Sequence, residues 1–430
     1  MRSAGLLDGC SMRIFCVMID TEMGQLAIQG GPKSVTKTFP WPIYDETEVQ
    51  AVANIVRSGQ WGNPDCADEV ARFEQAFAAY CGSKYAVSCV NGSVSLRLAL
   101  IACGLRPGDE VIVPPYTFIA TASVVLEINC VPVFVDIDPD TYNLDPARIE
   151  AAITEKTRAI IPVHFAGLAC DMDAILTIAQ RHNLRVIEDA AHAHGAEYKG
   201  RKLGSIGDAG SFSFQSSKNL TSGEGGIVIT NDDALYEAMN SLRNVGRSPS
   251  GQWYDHFNPG CNYRITQLQA VLLSEQLKRL DEQTITRNEN GLYLNGLLAD
   301  IEGVTPLSRG EVAIRHCYHL YIFKYDKTKF GQLPKKDFVA MLSAEGVPCS
   351  GGYPHPLYKQ PVFQQKNFMC YAIPDSVDYT QVNCPEAERA CADEAVWVFQ
   401  HAMLGTREDM ESFARAIRKI QLYTRASARV

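Results

Sequence analysis

A chain of 430 residues with 46% hydrophobic and 21% charged residues is long enough for two packed cores and too apolar for extended disorder. Its 40 basic and 49 acidic residues leave a formal charge of −9, spread without blocks of one sign, which argues against a nucleic-acid groove or an anionic membrane surface. The 14 cysteines include no Cys-x-x-Cys pair and no His or carboxylate cluster has metal-ligand spacing, so they are read as reduced thiols of a cytoplasmic protein without a metal site.

Residues 1–40 read as an N-terminal extension and arm. Its apolar run, Ile14 to Ile19, is too short for a signal-peptide core or a membrane span, and residues 1–22 are read as a translated extension ahead of Met23. Helical periodicity over 46–57 and 67–80 puts Phe73, Phe77 and Tyr80 on a core face. Short apolar strands at 86–90, 110–113, 131–136, 159–164, 185–188, 210–214 and 227–230 then alternate with helical segments such as 93–103 and 118–127. That alternation predicts an α/β fold: a three-layer α/β/α large domain over residues 41–285 with a mostly parallel sheet. A long helical pattern from about 265 to 300, a strand-like Tyr318–Phe323 and helices at 335–345 and 407–420 predict a smaller C-terminal α+β domain over residues 286–430. Functional groups on such a sheet gather at the strand ends.

Three segments carry chemistry. Val186-Ile187-Glu188-Asp189 is an apolar strand ending in a carboxylate. The run Gly210–Gly226 holds one lysine, Lys218, between an alternating aromatic stretch with Ser213 and a glycine-rich turn. Asn91-Gly92-Ser93 lies between a strand and a helix, where free backbone N–H groups and a hydroxyl suit a phosphate. Tyr116 and Phe118 follow another strand, and either could stack on a planar ring. Each has an ordinary reading as well: an exposed loop lysine, an N-capping Asp, a capped helix start, a core aromatic. Together they supply an amine for an aldehyde, an acid partner for a ring nitrogen and donors for a phosphate, the requirements of a pyridoxal 5'-phosphate (PLP) enzyme.

The runs Glu188–Gly195, Gly204–Asp208 and Phe212–Gly226, with Asp171-Met172-Asp173, Asn262-Tyr263-Arg264 and Cys384–Glu388, resemble the DegT–StrS family of fold-type I, PLP-dependent sugar and cyclitol aminotransferases. The resemblance spans about Leu26 to Gln421. It implies that Lys218 is the catalytic residue and bonds the cofactor aldehyde, that Asp189 pairs with the ring nitrogen, and that Gly92, Ser93 and Ser213 contact the phosphate. It also implies Phe118 as the stacking aromatic and His192 on the cofactor face or its O3′ side. Asn262 or Arg264 would reach the phosphate of the neighbouring subunit's cofactor, in a homodimer with shared sites. His164, Tyr353 and His355 fall in segments lining the substrate side.

The opening Leu26–Lys33 and the run Gln215–Lys218 are more similar to the branch acting on keto-cyclitols than to members acting on nucleotide-linked keto-sugars, which often have His at the position of Gln215. The implied reaction moves an amino group from L-glutamine or L-glutamate to a keto-cyclitol or keto-sugar, in natural-product (aminoglycoside-like) or cell-surface sugar biosynthesis. Two other readings stand beside it: a PLP dehydratase of the aminohydroxybenzoate-synthase type, and a non-catalytic regulatory or binding member of the fold. A sugar 3-dehydratase would carry histidine in place of Lys218.

Overall fold

The computed structural model describes residues 25–62, 69–248, 250–308 and 315–427, so the expected extension at 1–22 lies outside the described residues. Seven strands form the main sheet: β1 (Tyr85–Cys89), β2 (Glu110–Val113), β3 (Val131–Phe134), β4 (Thr157–Ile160), β5 (Arg185–Asp189), β6 (Ala209–Ser213) and β7 (Gly226–Thr230). Their order is β1-β7-β6-β5-β4-β2-β3. Neighbours from β3 to β6 pair in parallel, while β7 runs antiparallel to both β6 and β1. All strands but β7 therefore deliver their carboxyl ends to one edge, and β7 begins there.

The helices are α1 (Glu46–Ser58), α2 (Glu69–Cys81), α3 (Gly92–Ala102), α4 (Ala120–Glu127), α5 (Met172–His182), α6 (Asp233–Arg243) and α7 (Gln267–Leu298). Alternate strand residues point to opposite faces. Val87, Val111, Val113, Ile187 and Val228 pack with Leu96, Val124 and Met239, on α3, α4 and α6. Ala86, Ile112, Val186, Ile227 and Ile229 pack with Phe73, Phe77, Ile175 and Leu273, on α2, α5 and α7. This two-sided covering makes the three layers, and the whole is the fold-type I architecture. Helices α5 and α6 have no counterpart among the expected elements, and β4 ends at Ile160, before the expected His164.

A second, antiparallel sheet has the order β8 (Val304–Pro306), β9 (Leu320–Tyr325), β11 (Ala395–Phe399), β10 (Cys349–Ser350). Helices α8 (Lys335–Ala344) and α9 (Arg407–Ser427) cover it through Phe338, Leu342, Met410, Phe413 and Ile417. Helix α7 runs unbroken through residue 285. Its Ala270, Leu273 and Leu280 belong to the core under the main sheet, whereas Leu294 and Leu298 belong to the core of the second. Between them Thr284, Arg287 and Asn290 are buried polar positions.

Candidate active site

A cavity of about 960 Å³ opens at the carboxyl edge of the main sheet, with β9, β11 and the segment at Trp41 closing its other side. Helix α3 enters it with Gly92 and Ser93, whose N–H groups precede the first helical hydrogen bond. Asn91 caps the helix by accepting the Val94 N–H at 2.9 Å. The fit against the sheet is tight. A Cβ on Gly92 would stand 2.6 Å from the Cβ of Ser213, and one on Gly226 would stand 2.4 Å from the Asn91 carbonyl oxygen. Glycine at both places lets the helix start, the end of β6 and the start of β7 converge, which makes a cradle of N–H groups and the Ser93 and Ser213 hydroxyls.

Asp189 ends β5 at the next strand position. Its carboxylate accepts the Thr121 hydroxyl at 2.8 Å and the Ala191 N–H at 3.2 Å. Thr121 in turn bonds Thr117 at 3.2 Å, so the two hydroxyls relay toward Asp189. Burial raises the Asp189 pKa, opposed by these hydrogen bonds and by the charge of Lys218. A buried carboxylate with two donors and no cation in hydrogen-bond contact suits a positively charged ring nitrogen.

The neighbouring Glu188 faces the other way. It is fully buried and accepts the N–H groups of Gly204, Ile206 and Gly207 at 2.7, 2.6 and 2.7 Å, and His164 Nε2 at 2.8 Å. Burial would raise its pKa, but the His164 contact and these N–H groups hold it below the usual carboxylate range. Because His164 Nδ1 accepts the Cys170 N–H at 3.2 Å, the ring carries its proton on Nε2. The expectation that His164 lines the substrate side is thus corrected: Val163, bridged to Asp189, takes the cavity side, and the His164 imidazole points to the other face, onto Glu188. His164 still bears on the site through its backbone N–H, which bonds the Asp189 carbonyl at 3.1 Å.

Lys218 sits in the loop joining β6 to β7. The loop is closed by the Phe214 N–H to the Gly225 carbonyl at 2.8 Å, and Trp41 Nε1 bonds the Ser216 carbonyl at 2.9 Å. The amine makes no side-chain hydrogen bond among the described residues, and burial pushes its pKa down to about 8 against the opposing pull of Asp189. Near neutral pH a usable fraction is therefore the free amine.

Beside it stand two histidines. His192 Nδ1 accepts the Ala166 N–H at 3.3 Å, so its proton is on Nε2. His319 donates from Nδ1 to Asn219 Oδ1 at 3.1 Å, an amide oriented by its own bond to the Cys317 carbonyl at 2.9 Å. The rings lie 4.1 Å apart, and burial first, with the Lys218 charge assisting, holds both pKa values well below the usual histidine range. They are neutral and of opposite tautomer. Phe118, 58% exposed, lines the same cavity, as does Tyr353, whose ring meets Trp397 edge-on at 4.8 Å.

The structure thus brings together Gly92, Ser93, Phe118, Asp189, His192, Ser213, Lys218 and Tyr353. His355 is exposed and outside the lining, a second correction: the turn at Pro354 carries it to the surface after Tyr353. Asn262 is also exposed and outside this chain's cavity, paired across a bridge with Asn244. Thr121, His319, Trp397, Gln400 and His401 line the site without having been expected there. The strand-like Tyr318–Phe323, which holds His319, and the helical segment 118–127, which holds Thr121, were the sequence signals that passed near them.

Among the described residues no helix is long and apolar enough to cross a membrane. Residues 42–418 match the model of the DegT/DnrJ/EryC1/StrS aminotransferase family. The chain is 39% identical over 419 residues to an L-glutamine:2-deoxy-scyllo-inosose aminotransferase of Streptomyces paromomycinus, covering 92% of this chain and 97% of that one. It is also 42% identical over 329 residues to a pleiotropic regulatory protein of Geobacillus stearothermophilus, covering 76% and 82% of the two chains. The crystal structure of 3-amino-5-hydroxybenzoic acid synthase superposes with a TM-score of 0.81 at 35% identity, over 91% of this chain and 99% of that one. With the lysine, the carboxylate and the cradle of N–H groups and hydroxyls in one cavity, the chain belongs to the DegT/DnrJ/EryC1/StrS family and is a PLP-dependent aminotransferase.

Proposed function

We propose that this enzyme transfers the amino group of L-glutamine or L-glutamate to a keto-cyclitol or keto-sugar, with a keto-cyclitol of the scyllo-inosose class as the preferred acceptor. The observation that carries this reading is the convergence of the Lys218 amine and the Asp189 carboxylate on one cavity, in a chain so similar to an aminotransferase acting on 2-deoxy-scyllo-inosose. The pathway in which it serves is the making of an aminocyclitol natural product.

Bound PLP supplies an electron sink that acidifies the Cα–H of an amino acid joined to it. The residues supply the rest. Gly92 and Ser93 N–H groups with the Ser93 and Ser213 hydroxyls hold the phosphate. Asp189, itself steadied by Thr121, keeps a proton on the ring nitrogen. Phe118 packs against the ring, and His192 offers its Nε2 proton at the oxygen side. Lys218 is the residue that would anchor the cofactor, and its Nζ, as a free amine, would take the proton from the donor's Cα and give it back, base and acid in one residue. Tyr353 belongs to the substrate wall.

The protein works as a cytoplasmic homodimer. The free thiols of the described cysteines support a reducing compartment. Trp253, Tyr254 and Phe257, at 70%, 73% and 60% exposure, form an aromatic surface on the segment leading to Asn262, which supports a second copy seated there and Asn262 reaching its cofactor phosphate.

Two other readings have a specific comparison behind them, the 3-amino-5-hydroxybenzoic acid synthase and the pleiotropic regulatory protein. Retention of both Lys218 and Asp189 weighs against a non-catalytic role. The deciding experiment is an absorbance spectrum of the purified protein with PLP, before and after L-glutamine or L-glutamate. A visible band of lysine-held cofactor that either amino acid converts to the amine form supports the proposal. A band unmoved by both favours the dehydratase, and no band favours the non-catalytic member.

A further inference from the structure

Behind the second-sheet wall of the cavity lies a cation without a counter-charge. Arg287, in the middle of α7, is fully buried. Its guanidinium donates to the Gln400 carbonyl at 3.3 Å and to Gln400 Oε1 at 2.6 Å, and it stands 5.4 Å from the Trp41 ring centroid. Its NH1 nitrogen has no partner, and no carboxylate pairs with it among the described residues. A buried, uncompensated guanidinium is costly, and burial draws its pKa down to about 9.

Gln400 stands between this charge and the cavity, which it lines with Trp41 and His401. Only 2% of it is exposed. Arg287 takes the amide oxygen, so the amide end left over is Nε2, a donor only, and Nε2 is buried without a partner. The side chain is therefore polarised by a cation on one side and short of an acceptor on the other.

With L-glutamine as donor and a keto-cyclitol as acceptor, the one negatively charged substrate group that the site must seat is the carboxylate of the donor. The keto-cyclitol is uncharged. Among the described residues the charged groups lining the cavity are Asp189, Lys218 and Glu224. Two of these repel a carboxylate, and the third is committed to the chemistry. The histidines are neutral, with His401 held below its usual pKa by burial and by Arg287. We propose that Gln400 receives the donor carboxylate through Nε2–H, with Arg287 as the positioning residue that orients the amide and supplies the positive field. The assignment rests on the proposed function, because it requires an amino-acid donor.

Gln400→Leu and Gln400→Glu test it, with L-glutamine and 2-deoxy-scyllo-inosose varied separately in steady state. Gln400→Leu removes the donor and should raise KM for L-glutamine roughly tenfold or more, the worth of a hydrogen bond to a charged group, with KM for the ketone within about twofold. Gln400→Glu places a carboxylate on Arg287. It should raise Tm, because the buried cation gains its counter-charge, while raising KM for L-glutamine further by repulsion. A purely structural role would not couple a gain in Tm to a loss of affinity for L-glutamine. Unchanged KM for L-glutamine in both variants, or a rise confined to the ketone, overturns the assignment alone. A wild-type enzyme inert to L-glutamine and L-glutamate overturns the proposed function and this assignment with it.

Discussion

The two walls of the cavity are built on different principles. The main-sheet wall presents groups displayed by strand ends and a helix start: Asp189, Ser213, Gly92 and Ser93, with Lys218 on a loop pinned at both ends. Each is fixed by backbone geometry, so each appears in the sequence as a local motif. The second-sheet wall presents His319 just before β9, Trp397 within β11 with Gln400 and His401 just after it, and Tyr353 beyond β10, segments far apart in the chain. On the proposed function, the first wall is the one that would hold the cofactor and the second the one that would choose what reacts with it.

Breaking the first wall should be catastrophic. Lys218→Ala is expected to keep PLP bound through the phosphate cradle but to abolish transamination, with turnover and the visible band both lost. Asp189→Asn should lower kcat by roughly a thousandfold while leaving a spectroscopically detectable bound cofactor, within the usual range for losing one acid–base partner. Gly92→Val should weaken PLP binding roughly ten- to hundredfold in a titration, since its Cβ would meet that of Ser213 at 2.6 Å and the helix start must shift. The pH dependence sharpens the same wall. With the Lys218 pKa at about 8, the free-amine fraction, and with it the rate of covalent PLP capture by apoenzyme, should rise about tenfold between pH 7 and pH 9. A flat profile would mean that another step limits capture.

The second wall should respond mildly and differently. Trp397→Phe removes the indole N–H that bonds the Tyr116 hydroxyl at 3.1 Å. It should cost about 1 kcal/mol of stability in a denaturant titration, change KM for the ketone by a few-fold, and leave the PLP dissociation constant alone. A large loss of cofactor affinity in this variant would erase the distinction between the walls.

The sequence carried the first wall because its residues sit beside features that only one backbone shape explains: glycines at close approaches, hydroxyls at a helix start, a carboxylate at a strand end. It did not carry the second. The strand Ala395–Phe399 is a short apolar run after a broken helix, and nothing in its pattern marks the following Gln400 and His401 as cavity residues. Arg287 is hidden for another reason. Helix α7 is covered on several sides, so buried polar residues such as Gln276, Thr284, Arg287 and Asn290 interrupt any apolar stripe, and an inward arginine reads as a solvated one. His164 was misplaced by face: the chain beyond Ile160 still pairs with β5 through a Val163–Asp189 bridge, and with Val163 on the cavity side the next side chain points the other way. The short run 210–214 and the turn at Gly223–Gly226, by contrast, framed Lys218 correctly as a loop between strands.

The one strand of the main sheet that runs against its neighbours has a mechanical consequence. Because β7 is antiparallel to β6, the chain leaves the sheet after Ser213 and re-enters it at Gly226 on the same edge, so residues 214–225 form a loop moored at both feet. Had β7 been parallel, the chain would have had to cross to the far edge first, and the lysine would hang from a single support. Here a displacement of the Lys218 backbone is resisted at two neighbouring strands. The nucleophile is held as a bridge holds its span, and its stiffness comes from the sheet.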